Sequence, residues 1–72
     1  MEPRGNFSAS NPHDDLDAYP GLEEEVAVAR AREHGWTTVR TLPTDGVVTM
    51  EYQAGRLNFT VDHGRVRRCW LG

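Results

Sequence analysis

Residues 56–62 follow the pattern that most restricts the fold of this chain. Apolar side chains alternate there with polar ones, a period of two that is typical of a β-strand with one face in the core: Arg56, Leu57, Asn58, Phe59, Thr60, Val61 and Asp62. The sequence Asp62-His63-Gly64 that follows predicts a tight turn. Residues 65–71 predict a last strand at a sheet edge, where its arginines discourage edge pairing.

An alanine-rich helix is predicted over residues 22–34. Glutamates open this segment, arginines lie toward its end and Gly35 follows it, an arrangement that suits the helix dipole and a glycine stop. We expect Leu22, Val26 and Ala29 to form its buried stripe, widened by Val28 and Ala31. Residues 36–42 are rich in threonine and valine and predict a strand, with Trp36 and Trp70 in or beside the core.

The length of the chain, 72 residues, allows one domain with a marginal core. We expect residues 1–18 to be a disordered arm, because they contain few large apolar side chains, and residues 19–72 to form the domain. Within the arm, Asp14, Asp15 and Asp17 are interpreted as a solvated patch. Cys69 is the only cysteine, so no internal disulfide can form, and we interpret its thiol as a small buried apolar group.

The segment between the predicted strands, residues 43–55, is long for a loop in so small a domain, and loops of this length are usually functional or disordered. Its composition is not that of a disordered segment, because it contains Val47, Val48, Met50 and Tyr52. Two interpretations remain: a core strand with Met50 as filler, or an exposed apolar loop that binds a partner. We favour the exposed loop.

Residues 47–52, named the binding loop below, suit an extended peptide that enters a protease cleft. Val47, Val48 and Thr49 are β-branched and favour an extended backbone, and Met50 is an adaptable apolar side chain for a specificity pocket. In the next strand, Arg56 and Asn58 lie on the face opposite Leu57 and Phe59, from which both could reach back under the loop. A charge-assisted bond from Arg56 to Glu51 is expected.

These residues resemble the reactive loop of the potato inhibitor I family, with Val48-Thr49-Met50-Glu51-Tyr52 as the most specific stretch. The resemblance extends over residues 19–72. It includes the Tyr19-Pro20 and Leu42-Pro43 pairs and the final Gly72. Asn58 departs from the family, which has a second supporting arginine there, and the run Arg56-Leu57-Asn58 is similar to a related group of small microbial serine protease inhibitors.

The resemblance implies a fold and a set of roles. It implies an α+β domain with one helix packed on a small mixed three-stranded sheet, whose first two strands are parallel and joined by the long exposed loop. Met50 would be P1 and Met50–Glu51 the reactive bond. The other roles it implies are P4 to P2 for Val47, Val48 and Thr49, P2′ for Tyr52, and loop support for Arg56 and Asn58.

Other functional classes find little support in the sequence. The net charge of −3 disfavours nucleic-acid binding, and no apolar run has the length of a membrane helix. The three histidines have no metal-ligand spacing, and no catalytic motif or phosphate-binding loop is recognisable, so we expect no cofactor, no metal and no enzymatic activity. We expect a monomer, cytoplasmic as the sequence is written because it shows no signal peptide, or secreted if a signal was removed.

The function we expect is reversible, substrate-like inhibition of serine endopeptidases of the subtilisin or chymotrypsin type. The alternative is a non-inhibitory interaction module that uses the same loop or a sheet edge to bind another protein.

Overall fold

The computed structural model describes residues 11–46, 48 and 51–72. A 3-10 helix, Leu16–Ala18, precedes helix α1, Glu24–Glu33, and three strands follow: β1 (Thr38–Pro43), β2 (Arg56–Asp62) and β3 (Arg65–Leu71). The strand order is β1-β2-β3, with β1 parallel and β3 antiparallel to β2. The expected α+β class, one helix and a mixed three-stranded sheet, is confirmed. The bounds of β2 and β3 are those predicted, and β3 lies at an edge of the sheet.

The turn between β2 and β3 is also as predicted. Asp62 pairs with Arg65, which leaves a two-residue connection whose members, His63 and Gly64, both have positive φ, at 52° and 78°. Positive φ at both central residues is the requirement of a type I′ turn, whose twist matches that of the flanking strands.

The buried face of α1 differs from the prediction. Ala27 and Ala31, one helical turn apart, are fully buried, whereas Ala29 is exposed and Val26 is 43% exposed. The predicted stripe is therefore wrong for Val26 and Ala29, although Leu22 and Val28 do pack against the core. Small side chains let the helix approach the sheet closely, and larger residues from elsewhere fill the rest of the core: Tyr19, Trp36, Leu57, Phe59 and Val66.

β2 is buried on both faces. Leu57 and Phe59 face the helix side and are inaccessible to solvent, as predicted. On the other face Arg56, Asn58 and Thr60 are also buried, with at most 6% exposure. A polar layer therefore lies on the sheet face away from α1. It begins at Arg56, where the connection from β1 enters β2.

The segment before Tyr19 is more closely packed than the predicted arm. Residues 1–10 lie outside the described residues, but residues 11–18 contain the 3-10 helix, and Leu16 packs against the core. The side chain of Asp14 is only 6% exposed, so the expected solvated patch is wrong for this residue. Contacts with Tyr19, Trp36 and His34, described below, compensate for the burial of this carboxyl.

In the part of the chain that the structure describes, no helix has the length and apolar character required to cross a bilayer.

Candidate functional site

The connection between β1 and β2, residues 44–55, joins neighbouring parallel strands. Parallel neighbours need a long crossover, which in most proteins is a helix. The described residues of this connection, 44–46, 48 and 51–55, belong to no helix or strand. Glu51 and Tyr52 are exposed, and Tyr52 is 62% accessible. Val47, Thr49 and Met50 of the predicted site lie outside the described residues, so the proposed reactive bond has no described geometry.

Arg56, the first residue of β2, contacts the loop from beneath. Its side chain is buried, and Nη2 donates to the carbonyl oxygens of Glu51 at 2.8 Å and Gly72 at 2.7 Å. The sequence predicted contact with Glu51, but the acceptor is the main-chain carbonyl and not the carboxylate. A main-chain contact fixes the path of the loop whatever side chain Glu51 presents, because charge-assisted bonds to backbone oxygen restrain the backbone itself.

Gly72 is a second attachment point for the loop. Its carbonyl oxygen accepts from Gln53 N at 3.0 Å as well as from Arg56, and its own N–H donates to the Arg56 carbonyl at 3.0 Å. The φ of Gly72 is 97°, and a Cβ there would lie 2.7 Å from Cδ1 of Tyr52. The ring of Tyr52 therefore lies directly over a glycine whose conformation and lack of side chain both permit the contact.

Gly55 joins the loop to the sheet. Its carbonyl oxygen accepts from the N–H groups of Thr37 and Thr38 and from Thr37 Oγ1, over 3.0–3.2 Å. Its φ is 81°, and a Cβ would lie 2.6 Å from Thr37 Oγ1. This position requires glycine on both grounds. The loop thus re-enters the sheet through a fixed turn beside β1.

Asn58 does not contact the described part of the loop directly. Its Nδ2 donates to the Trp70 carbonyl at 3.2 Å, and its Oδ1 accepts from Nε of Arg40 at 2.8 Å. Arg40 in turn lines a cleft of about 170 Å³ with Val48, Glu51, Tyr52, Trp70, Leu71 and Gly72. Asn58 therefore orients an arginine that lies beside the loop.

Arg40 was missed in the sequence analysis, although a signal for it exists. It pairs with Asn58 in the parallel register of β1 and β2, so both residues belong to the polar face of the sheet. Once the strands are assumed parallel, the alternation along β2 can be extended to β1, and Arg40 is then placed beside Asn58.

A cluster around Asp14 fixes the segment that precedes the domain. Trp36 Nε1 and the Tyr19 hydroxyl donate to Oδ2 of Asp14, and His34 Nδ1 lies 2.8 Å from Oδ1. Burial raises the pKa of the Asp14 carboxyl, but the hydrogen bonds from Tyr19, Trp36 and His34 outweigh it, so that pKa lies below its usual value. Burial and then the nearby Asp14 raise the pKa of Tyr19.

Groups that could carry out other chemistry are few among the described residues. These residues contain no cluster of three histidine, cysteine or acidic side chains suited to a metal ion. Cys69 packs against the core, and burial, followed by the charges of Asp14 and Asp17, raises its pKa to about 12. Since the thiolate is the reactive form, the Cys69 thiol is a poor nucleophile at neutral pH.

Comparison of the chain with protein-family models, with curated proteins and with solved structures gave no match. Function is therefore inferred from the geometry of the site and from the residues of the loop.

Proposed function

We propose that this chain is a reversible, substrate-like inhibitor of serine endopeptidases of the subtilisin or chymotrypsin type. The observation that carries the proposal is the double contact of Arg56 Nη2 with the carbonyl oxygens of Glu51 and Gly72. This contact braces the main chain immediately after the Met50–Glu51 peptide bond. An exposed loop that is held at the backbone from beneath is what a substrate-like inhibitor requires.

The roles in this proposal follow the resemblance to the potato inhibitor I family. Val47, Val48 and Thr49 occupy P4 to P2 along the cleft, where extended main chain pairs with the enzyme. Met50 enters S1. Glu51 and Tyr52 follow as P1′ and P2′. In this proposal the chain supplies no catalytic group. The protease carries out the chemistry, and the chain is the slowly cleaved substrate.

Two consequences of the brace make inhibition more favourable than hydrolysis. A loop that is ordered before binding loses less conformational entropy in the complex, which strengthens binding. If the protease cleaves Met50–Glu51, the new amino group of Glu51 stays near the acyl carbon, because Arg56 and Gly72 continue to hold residues 51–53. Retained ends favour resynthesis of the bond over release, since proximity replaces a bimolecular encounter.

The second loop support in this proposal is the Arg40–Asn58 pair. Asn58 provides the fixed acceptor within the sheet, and Arg40 provides the cation at the cleft that Val48 and Glu51 also line. Asn58 and Arg40 together thus take the place of the second arginine that the family resemblance leads one to expect at position 58.

The alternative is a non-inhibitory interaction module. The exposure of Tyr52 at 62% and of Leu71 at 45% supports it, because both residues line the same cleft and could bind a protein without resisting proteolysis. The two functions differ in what a protease does to the loop. An inhibitor resists cleavage while bound, whereas an interaction module is digested as an ordinary substrate.

The experiment that tests the proposed function is a change of P1. Met50→Lys should shift inhibition from subtilisin and chymotrypsin toward trypsin, because the P1 side chain determines the fit to S1. His63→Asn, in the turn at the far end of β2, is the matched control and should leave the spectrum of inhibited enzymes unchanged. If Met50→Lys inhibits the same enzymes as the wild type, Met50 is not P1 and the proposal is wrong in its central residue.

A further inference from the structure

Asn11 connects the segment before the domain with the loop. Its Oδ1 accepts from the N–H of Gly55 at 2.8 Å, and its Nδ2 donates to the hydroxyl of Tyr52 at 2.8 Å. One amide side chain thus bridges two points on the part of the connection that follows the Met50–Glu51 bond. Both contacts span more than forty positions of sequence, so no local pattern predicts them.

The position of Asn11 is itself fixed. The ring of Pro12 lies over Gly35, and a Cβ on that glycine would be 3.6 Å from Pro12 Cγ. Two residues further on, Asp14 is held by Tyr19, Trp36 and His34. Residues 12–14 therefore anchor Asn11 to the core side of the domain, and a restrained side chain loses less entropy when it holds the loop.

The contacts of Asn11 matter because the core does not restrain Tyr52. That side chain is 62% exposed; Gly72 lies beneath its ring, and Asn11 donates to its hydroxyl. Gly55 presents the opposite case, because it is buried and Asn11 is the acceptor for its N–H. A buried N–H that loses its acceptor is costly, so the amide of Gly55 depends on Asn11.

We infer that Asn11 is a positioning residue for the loop, and that residues 11–14 form a strap which holds residues 52–55 against the domain. Asn11 contacts Tyr52 and Gly55, and so supplements the contact of Arg56 with Glu51. Its physical role, restraint of Gly55 and Tyr52, does not depend on the proposed function. Its functional role, slower loss of the cleaved loop, rests on that proposed function.

The direct test is to measure amide hydrogen-exchange rates in the full chain by NMR. Asn11→Ala should speed exchange of the Gly55 N–H by about 3- to 10-fold, the factor expected from one lost neutral hydrogen bond. Amides within β2 should keep their rates. Asn11→Asp retains an acceptor for Gly55 N–H and for the Tyr52 hydroxyl, so it should restore slow exchange. His63→Asn, in the turn at the far end of β2, is the control and should change nothing.

Two outcomes of the exchange experiment would overturn the strap. One is an unchanged Gly55 rate in Asn11→Ala, and the other is a uniform rise over all amides that Asn11→Asp does not reverse, which would make Asn11 a residue of general stability. Neither outcome depends on whether the chain inhibits any protease.

The functional part is tested by a double-mutant cycle on the rate at which subtilisin cleaves Met50–Glu51. Asn11→Ala and Tyr52→Phe should each raise this rate. The double variant should raise it by less than the product of the two, because both single variants remove the same Asn11–Tyr52 hydrogen bond. Multiplicative effects would overturn the coupling. If the wild type does not inhibit, the proposed function fails, while the exchange result still decides whether the strap exists.

Discussion

Arg56 and Gly72 are joined twice, by the bond from Arg56 Nη2 to the Gly72 carbonyl at 2.7 Å and by the bond from Gly72 N to the Arg56 carbonyl at 3.0 Å. The same guanidinium nitrogen reaches the carbonyl of Glu51. A residue of the central strand thus ties the loop to the residue that follows the edge strand. The loop is held by the sheet on which it lies, and no disulfide is needed for this within a chain that has one cysteine.

Arg56→Ala should leave the fold but speed hydrolysis of the Met50–Glu51 bond by subtilisin. The variant loses the bonds from Arg56 Nη2 to the Glu51 and Gly72 carbonyls and the longer bond from Nη1 to Gln53 Oε1. A hydrogen bond from a charged donor contributes about 1.5–3 kcal/mol. Arg67→Ala removes an exposed arginine of β3 and is the matched control. The measurement is the rate of Met50–Glu51 cleavage in both variants, determined by mass spectrometry. An Arg56→Ala protein that is cleaved no faster than Arg67→Ala would show that Arg56 does not brace the loop.

Asn58→Ala should destabilise the protein and loosen the loop together. The amide is fully buried, and its removal leaves the Trp70 carbonyl and Arg40 Nε without this partner, at a cost of about 1–3 kcal/mol. Arg40→Ala should raise the cleavage rate with a smaller loss of stability, because Arg40 is less buried. Urea unfolding and cleavage rates measured on both variants separate the two effects. Equal cleavage rates in Arg40→Ala and wild type would show that Arg40 does not support the loop.

Asp14 should make the stability of the fold depend on acid. Its pKa is lower in the folded chain than the unfolded value of about 3.9, so the unfolded state binds the proton more readily. The stabilisation is therefore complete above about pH 4 and disappears as the pH falls through the folded pKa. Asp14→Asn should cost about 1–3 kcal/mol at pH 7 and less at pH 3.

The measurement for Asp14 is urea unfolding of wild type and Asp14→Asn at both pH values, with Asp45→Asn as the exposed control. The free-energy difference between Asp14→Asn and wild type should shrink toward low pH, and that between Asp45→Asn and wild type should stay small. A difference for Asp14→Asn that is the same at pH 7 and pH 3 would contradict the depressed pKa.

The two sides of α1 should respond differently to substitution. Ala31→Leu inserts a large side chain at a fully buried position where the helix packs on the core, which should cost about 1–3 kcal/mol. Val26→Ala changes a residue that is 43% exposed and should alter stability by less than about 0.5 kcal/mol. Thermal unfolding of both variants gives the answer. A larger loss in Val26→Ala would favour the stripe predicted from sequence.

The sequence was sufficient for β2, β3 and their turn, because alternation with a period of two and an Asp-His-Gly turn both act over short distances. It was insufficient for α1, where alanines surround the helix and give little contrast between faces. Packing against Tyr19, Trp36 and Phe59 selects Ala27 and Ala31, and that choice depends on residues outside the helix.

The site shows the same division. Arg56 could be predicted as a support because it opens the strand directly after the loop. Its acceptor is a main-chain carbonyl, which every residue has, so the sequence could not show which atom Arg56 contacts. Arg40 required the parallel register, and Asn11 required contacts with Tyr52 and Gly55 that span more than forty residues. Composition suggested disorder near Asp14 because that segment has few large apolar side chains. It could not show that the Asp14 carboxyl is held by Tyr19, His34 and Trp36.

Whether the chain is an inhibitor is tested by titration of subtilisin activity with the purified protein, followed by mass spectrometry after long incubation. We expect tight, stoichiometric inhibition and one slow cleavage, between Met50 and Glu51, that stops short of completion. Rapid digestion at several bonds, or no inhibition of subtilisin, chymotrypsin or elastase, would contradict it and would favour an interaction module on the same scaffold.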